Sequence, residues 1–195
     1  MKNRTSAALG AAAIVAALAV PLPAQEQDST PYAGLEVREI KALSSDQVEA
    51  YRLGSGMGLA LAAELNRHPG PKHVLELAHE LQLTENQKER TRSVFSAMEL
   101  SAIEIGTRIL EMETKLDERF ASASLSEEEM AEIVNRIAIH QGSLRATHLK
   151  AHLEMVRILS SEQIERYQNL RGYDQGGHDG AHSPEHHQME KHSGH

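Results

Sequence analysis

Three side chains that can bind divalent metals share one strip of a predicted helix. His148 and His152 are four residues apart and Met155 follows three residues later, so all three project from adjacent turns of one helix face. If the chain folds back near residue 123, Glu99 lies opposite His148. Imidazole, carboxylate and thioether groups together suit Zn, Ni, Co or Cu. The strip is equally compatible with ordinary packing, in which His148 belongs to a helix seam and His152 is its partly exposed neighbour.

A second group of candidate metal ligands lies in residues 174–195, which hold half of the 12 histidines of the chain. This segment has no apolar period and is predicted to be a disordered, His-rich tail. Neutral imidazoles at such a density can chelate borderline divalent metals without a preformed cage. The alternative is a solubilising polar tail. The candidate ligands in the tail are His178, His182, His186, His187, His192 and His195.

The composition excludes several classes of function. The chain of 195 residues contains no cysteine, so disulfides, thiolate zinc sites, iron–sulfur clusters and cysteine nucleophiles are excluded. Its formal net charge of -8 argues against a nucleic-acid partner. The sequence contains no P-loop, no nucleophile elbow and no convincing catalytic pair, so we predict a protein that is not an enzyme. It should need no cofactor, with a divalent metal as the candidate ligand.

Residues 1–24 have the pattern of a secretory signal peptide. Lys2 and Arg4 precede an apolar run over residues 6–20, and Pro21-Leu22-Pro23-Ala24 offers a cleavage site. This pattern predicts a periplasmic protein, with a flexible N-terminal segment over residues 25–42. The alternative is a retained signal that anchors the chain in the inner membrane, facing the periplasm.

A recurring local signal divides the rest of the chain into helices. In each copy, Leu is followed by Ser or Thr, and Gln or Glu stands three positions after that hydroxyl. This is the sequence of a capping box, in which the hydroxyl and the Gln or Glu side chain satisfy backbone amides at the helix start. The four copies begin at Leu43, Leu83, Leu125 and Leu159.

The spacing of apolar residues between these starts is helical throughout. It predicts one long helix over about residues 84–121 and another over about residues 126–172, which can kink at Leu159 where a new cap begins. The short link between them makes them an antiparallel hairpin. Upstream, the pattern predicts a helix over about 44–66, loosened by glycines, and a short helix over about 72–81. The predicted fold class is all-α, and because two long helices cannot bury apolar seams on both sides, the hairpin should dimerise or present a binding face.

Residues 43–173 resemble the Spy/CpxP-like periplasmic chaperone family, whose members carry an LTxxQ motif. The resemblance rests on the export signal, the absence of cysteine, the long hairpin and two spaced motif copies. The matching positions are Leu83, Thr84 and Gln87 in the first copy and Leu159, Ser160 and Gln163 in the second. The second copy departs from the family pattern by having Ser160 where the motif has Thr.

The resemblance implies a long helical hairpin with shorter N-terminal helices that pairs into a curved homodimer. Such a dimer holds unfolded or misfolded periplasmic proteins without ATP, as part of an envelope-stress response. Relatives such as the zinc-responsive ZraP and the CnrX-type nickel and cobalt sensors imply the alternative, a heavy-metal sensor or buffer connected with metal resistance. A membrane sensor kinase is then a further candidate partner.

Overall fold

The computed structural model describes residues 31–173. The predicted signal peptide over residues 1–24 and the predicted His-rich tail over residues 174–195 lie outside the described residues. A 3-10 turn covers Leu35–Val37. Six α-helices follow in the described part: α1 (Ser45–Arg52), α2 (Leu61–Glu64), α3 (Pro71–Glu76), α4 (Glu85–Ala121), α5 (Glu127–Ile158) and α6 (Ser161–Arg171). Residues 31–173 contain no strand, so the predicted all-α class is confirmed.

Two long helices, α4 and α5, form the predicted hairpin. They pack against each other along their length, and Ala102 and Ile109 of α4 share a core cluster with Leu144 of α5. The shorter helices α1 and α3 pack on α4, and α2 contacts α5. None of the helices in residues 31–173 combines the length and the hydropathy that a membrane crossing requires.

The four predicted caps are all present, and three of them are complete capping boxes. At Ser44, Thr84 and Ser160 the hydroxyl accepts from the N3 amide and the Gln side chain accepts from the N-cap amide. Ser126 accepts from the amide of Glu129, but Glu129 uses its carboxylate differently. That carboxylate binds Arg119 at 2.6 Å, across the turn of the hairpin. The box at Ser126 therefore lacks the reciprocal bond, because Glu129 instead forms an ion pair that joins α4 to α5.

The prediction of one helix over residues 44–66 is wrong. The chain leaves α1 after Arg52 and re-enters a helix only at Leu61. Three residues in between adopt positive φ: Gly54 at 62°, Met57 at 44° and Gly58 at 74°. These left-handed conformations cannot be continued as a right-handed helix.

Close packing on α4 explains why the chain turns where α1 ends. A Cβ on Gly106 would lie 2.3 Å from the carbonyl oxygen of Tyr51, and a Cβ on Gly54 would lie 3.0 Å from that of Glu99. Glycine on both sides therefore allows the end of α1 to approach the backbone of α4 directly. The connection after α1 is thus held against the hairpin.

The other predicted helices differ from the structure mainly at their ends. The helix expected over residues 72–81 ends at Glu76 and continues as turns. The predicted second long helix is interrupted where its kink was expected, because α5 ends at Ile158 and Ser160 caps α6. The largest core cluster lies at this break and joins α3, α5 and α6. Its buried members are Val74, Leu81, Leu83, Met155, Ile158, Leu159 and Tyr167.

The two LTxxQ-type motifs contact each other at this end of the hairpin. The side-chain amide of Gln87 donates to the carbonyl of Ile158 at 2.9 Å and to Oε1 of Gln163 at 2.8 Å. Gln163 reciprocates by donating to the carbonyl of Leu81 at 3.2 Å and to Oε1 of Gln87 at 3.2 Å. Each glutamine thus caps its own helix and also donates to a backbone carbonyl two or three residues before the other cap. The motif glutamines therefore connect the start of α4 to the start of α6 through side-chain hydrogen bonds.

Candidate functional site

A cavity of about 490 Å³ lies between the connection after α1, helices α2 and α3, and the two long helices. Its apolar lining includes Leu53, Met57, Leu61, Phe95 and Met98. Its polar lining includes Glu64, Glu99, His148, His152, Lys72 and Arg171. The lining of the cavity therefore contains methionine and phenylalanine side chains together with several ionisable groups.

Glu64 is a buried carboxylate at the base of this cavity, with 6% of its surface exposed. Its Oε1 accepts from the hydroxyls of Tyr167 at 2.5 Å and Tyr173 at 3.0 Å, and its Oε2 accepts from the amide of Gly70 at 3.0 Å. Arg171 lies 3.8 Å from the same carboxylate. Burial raises the pKa of the Tyr167 hydroxyl, and the bond to Glu64 raises it further, so the tyrosine keeps its proton. Three hydrogen bonds and a nearby cation compensate the buried charge.

His152 belongs to the same hydrogen-bonded group. Its Nδ1 lies 2.7 Å from the carbonyl of His68 and 3.7 Å from Oε2 of Glu64. The ring also lies over Gly70, where an added Cβ would approach Cε1 to 3.1 Å. The side chain is therefore fixed by the chain segment that joins α2 to α3.

His148 lies one turn before His152 but lacks such partners. Its side chain is 3% exposed, and Nε2 has no hydrogen-bond partner among the described residues. Burial lowers the pKa of His148, and the nearby His152 lowers it further. A neutral imidazole with a free ring nitrogen is the form that binds a metal or accepts a hydrogen bond.

The structure brings three of the four predicted helical ligands to one cavity. Glu99, His148 and His152 all line it, as the hairpin register predicted. Met155 does not line it, because its side chain is completely buried in the core cluster with Val74 and Tyr167. The thioethers in the cavity wall are those of Met57 and Met98 instead. Within residues 31–173, no three or more His, Asp or Glu side chains are arranged so that they could hold a metal ion.

Glu64, Tyr167, Tyr173 and Arg171 were not predicted as a group from the sequence. They come from α2, α6 and the residues after α6, and no regular spacing connects them. One sequence feature could have indicated this group, namely the helix break at His68-Pro69-Gly70-Pro71. The Gly70 amide and the His68 carbonyl in this break bind the side chains of Glu64 and His152.

An exposed apolar surface borders the cavity, and we call it the rim. It consists of Leu53, Met57, Leu61 and Leu65, all of which are exposed. Leu53, Met57 and Leu61 also line the cavity, and Leu65 lies one turn beyond Leu61. Three of the four rim residues are therefore shared with the partly apolar lining of the cavity.

No protein-family model, curated protein or solved structure matches the chain. The fold and the site define an all-α hairpin protein with a partly apolar cavity.

Proposed function

We propose that the protein is a periplasmic, ATP-independent chaperone-like stress protein that binds unfolded or misfolded exported proteins. It acts by binding rather than as an enzyme, it requires no cofactor, and it works as a homodimer. In this proposal the rim and the cavity behind it hold apolar segments of the client. A membrane sensor kinase is a further candidate partner.

The observation that supports this proposal best is the exposure of the rim. Leu53, Leu61 and Leu65 are each more than half exposed, at 57%, 55% and 58%. Leu53 and Leu61 line the same cavity and Leu65 lies one turn beyond Leu61, and a cluster of exposed apolar side chains beside a cavity is a candidate binding surface.

The side chains of the rim and the cavity suit varied partners. Met57 and Met98 are flexible and polarisable, so they can adapt to apolar segments of different shapes. The glycines at positions 56 and 58 leave little side-chain bulk between the apolar groups. Charged groups within the cavity, such as Lys72 and Glu99, can pair with the polar residues that flank an apolar segment in a client.

The test is suppression of client aggregation by a rim variant. Leu61→Ser with Leu65→Ser removes two exposed leucines of the rim without touching the buried core. We expect the purified protein to slow aggregation of a reduced model client at equimolar ratio, measured by light scattering, and the double variant to lose most of this effect.

The matched control is Phe120→Ser, which removes an exposed apolar side chain at the far end of the hairpin. This variant should suppress aggregation as well as the unmodified protein does. If the unmodified protein does not slow aggregation, or if the rim variant works as well as Phe120→Ser, the chaperone proposal is wrong.

The second candidate function is that of a periplasmic heavy-metal sensor or buffer for Zn, Ni, Co or Cu. The unpartnered Nε2 of His148 favours it, because a buried ring nitrogen without a hydrogen bond is costly unless a ligand completes it. Glu99 and Met98 line the same cavity and supply the other donor types. The histidines of residues 174–195 are the second proposed set of ligands.

Calorimetric titration distinguishes metal binding in the cavity from metal binding by the histidines of residues 174–195. Zn, Ni and Cu are titrated into the full chain, a chain that ends at Tyr173, and His148→Phe in both backgrounds. Tight binding that survives truncation but not His148→Phe supports the cavity site, and binding lost on truncation assigns it to the tail. If no variant binds any of the three metals, the metal proposal is wrong.

A further inference from the structure

Methionine is the only sulfur-bearing residue of this chain. The sequence contains no cysteine and seven methionines. Two-electron oxidants convert a methionine thioether to a polar sulfoxide, and reductases can convert the sulfoxide back. The effect of an oxidant on the protein therefore depends on which thioether it reaches first. The methionines of the described residues are Met57, Met98, Met112, Met130 and Met155.

These methionines differ in their exposure to solvent. Met57 is 40% exposed, whereas Met155 is completely buried in the largest core cluster. Met98, Met112 and Met130 are half-buried on the two long helices. Within residues 31–173, Met57 is therefore the thioether that a dissolved oxidant reaches most easily.

The backbone around Met57 holds this residue at the surface. Met57 has a φ of 44°, which non-glycine residues adopt only occasionally, and it stands between Gly56 and Gly58. The amide of Leu59 donates to the carbonyl of Gly56 at 2.7 Å. The amide of Leu61 donates to the carbonyl of Gly58 at 3.1 Å. A Cβ added to Gly56 would meet nothing within 4 Å, so the space next to Met57 is open.

Met57 also lies where a change in polarity alters a candidate binding surface. It is the thioether of the rim, whose other members are leucines, and it lines the cavity together with Leu53 and Leu61. A sulfoxide oxygen is polar, and an apolar partner that covers it removes its hydration without replacing it. A leucine at this position would be equally apolar but could not be oxidised. The methionine therefore makes the rim sensitive to oxidants.

We infer that Met57 is an oxidation site that switches the rim between an apolar and a polar state. The oxidant is a peroxide. A lone pair of the Met57 sulfur attacks one oxygen of hydrogen peroxide, and the O–O bond breaks. The released hydroxide takes the proton of the new S–OH group and becomes water. The thioether is thereby oxidised to the sulfoxide, and the peroxide is reduced.

The reverse step needs a methionine sulfoxide reductase, which is the class of enzyme that would act on the oxidised protein. The consequence of this switch for clients rests on the proposed function. The oxidation of Met57 and the loss of apolar surface do not.

Peptide mass spectrometry tests the oxidation site. The full chain is treated with hydrogen peroxide, and the sulfoxide at each methionine is measured over time. We expect Met57 to be oxidised severalfold faster than Met112 and Met130, with Met155 unmodified. In concentrated urea, where burial is lost, these four rates should become equal. If Met57 in the folded protein is oxidised no faster than Met112 and Met130, the inference is wrong.

The fluorescence of ANS, a dye that binds exposed apolar surface, tests the effect on the rim. After the peroxide is removed, each oxidised protein is compared with its own untreated sample. We expect bound-dye fluorescence to fall in the unmodified protein and in Met112→Leu, the matched control, but not in Met57→Leu. Treatment with a methionine sulfoxide reductase should restore the fluorescence. An equal fall in Met57→Leu would assign the effect to another residue and overturn the inference.

Client protection is measured on the same samples. Oxidation should weaken protection of a reduced model client by the unmodified protein and by Met112→Leu, whereas Met57→Leu should keep the level of its untreated sample. Protection that survives complete oxidation of Met57 would overturn the switch. If the untreated protein protects no client, the proposed function is wrong, and the mass spectrometry and dye measurements still decide whether Met57 is the oxidation site.

Discussion

The rim and the exposed small and apolar residues along α5 are two exposed surfaces of the same hairpin, and they differ in regularity. We call the second surface the outer row, and it includes Ala131, Val134, Ala138, Gly142, Leu153 and Val156. The outer row is a straight seam on one helix, with one period and graded side-chain sizes. The rim is built on a connection with several left-handed residues, curves around a cavity and includes Met57. Regular, self-complementary surfaces select one partner, whereas irregular and adaptable surfaces accept many. We therefore propose that the client binds at the rim rather than along the outer row.

The two surfaces also differ in how they are supported. The outer row needs only the helix that carries it. The rim depends on contacts that hold the connection after α1 and helix α2 in place, namely the approach of Tyr51 to Gly106 and the bonds of Glu64. Substitutions at these supports should therefore disturb the rim and leave self-association intact.

Loss of the Glu64 carboxylate should have the largest effect on stability. Glu64→Ala leaves the hydroxyl of Tyr167 and the amide of Gly70 without their buried acceptor. We expect the free energy of unfolding in urea to fall by about 3 kcal/mol, with weaker client protection and unchanged self-association. Glu104→Ala, which removes an exposed pair with Arg108, is the control and should cost no more than about 0.5 kcal/mol. Equal losses in the two variants would contradict the structural role of Glu64.

Two separate glycine-to-alanine substitutions, one beneath the rim and one on the outer row, compare the packing at the two surfaces. Gly106→Ala drives a Cβ against the Tyr51 carbonyl, which should cost about 1–3 kcal/mol of stability and disturb the rim. Gly142→Ala lies in open space on the outer row and should instead raise the stability of the protein by up to about 1 kcal/mol. Thermal unfolding at low protein concentration measures both. The same change of stability in both variants would argue against the close packing of α1 on α4.

A smaller effect concerns the pH dependence at His148. Burial lowers its pKa in the folded protein, whereas an exposed histidine in the unfolded chain titrates near about 6.5. As the pH falls below that value, the unfolded state binds the proton first, so the free energy of unfolding decreases. His148→Phe removes this contribution but keeps the neighbouring His152, Glu64 and Glu99.

Urea titrations in metal-free buffer at pH 7.5 and pH 5.5 measure this effect. The unmodified protein should lose more stability between the two pH values than His148→Phe does. Parallel losses in the two proteins would mean that the buried histidine does not contribute.

Local sequence signals predicted most of the fold. Capping boxes and the helical period located α4 to within one residue, because such signals act over a few neighbouring positions. The prediction of one helix over residues 44–66 was wrong because of contacts between parts of the chain that are distant in sequence. Its middle turns back because Gly54 and Gly106 allow the backbones of α1 and α4 to meet, and nothing within that segment indicates the position of α4.

The candidate site was predictable only in part. The spacing of His148 and His152 and the hairpin register correctly brought Glu99 to the same cavity. The burial of Met155 depends on how α3 and α6 close over α5, and the bonds of Glu64 depend on residues about a hundred positions later. Such contacts are set by the packing of whole helices and have no local signature.

Site-specific crosslinking to a client tests the assignment of the two surfaces most directly. A photoreactive amino acid replaces Leu65 in one variant and Leu153 in another, and each protein is irradiated with an unfolded client. The proposal predicts that position 65 on the rim crosslinks to the client and that position 153 on the outer row crosslinks to the client much less. Client crosslinks at position 153 with none at position 65 would contradict it.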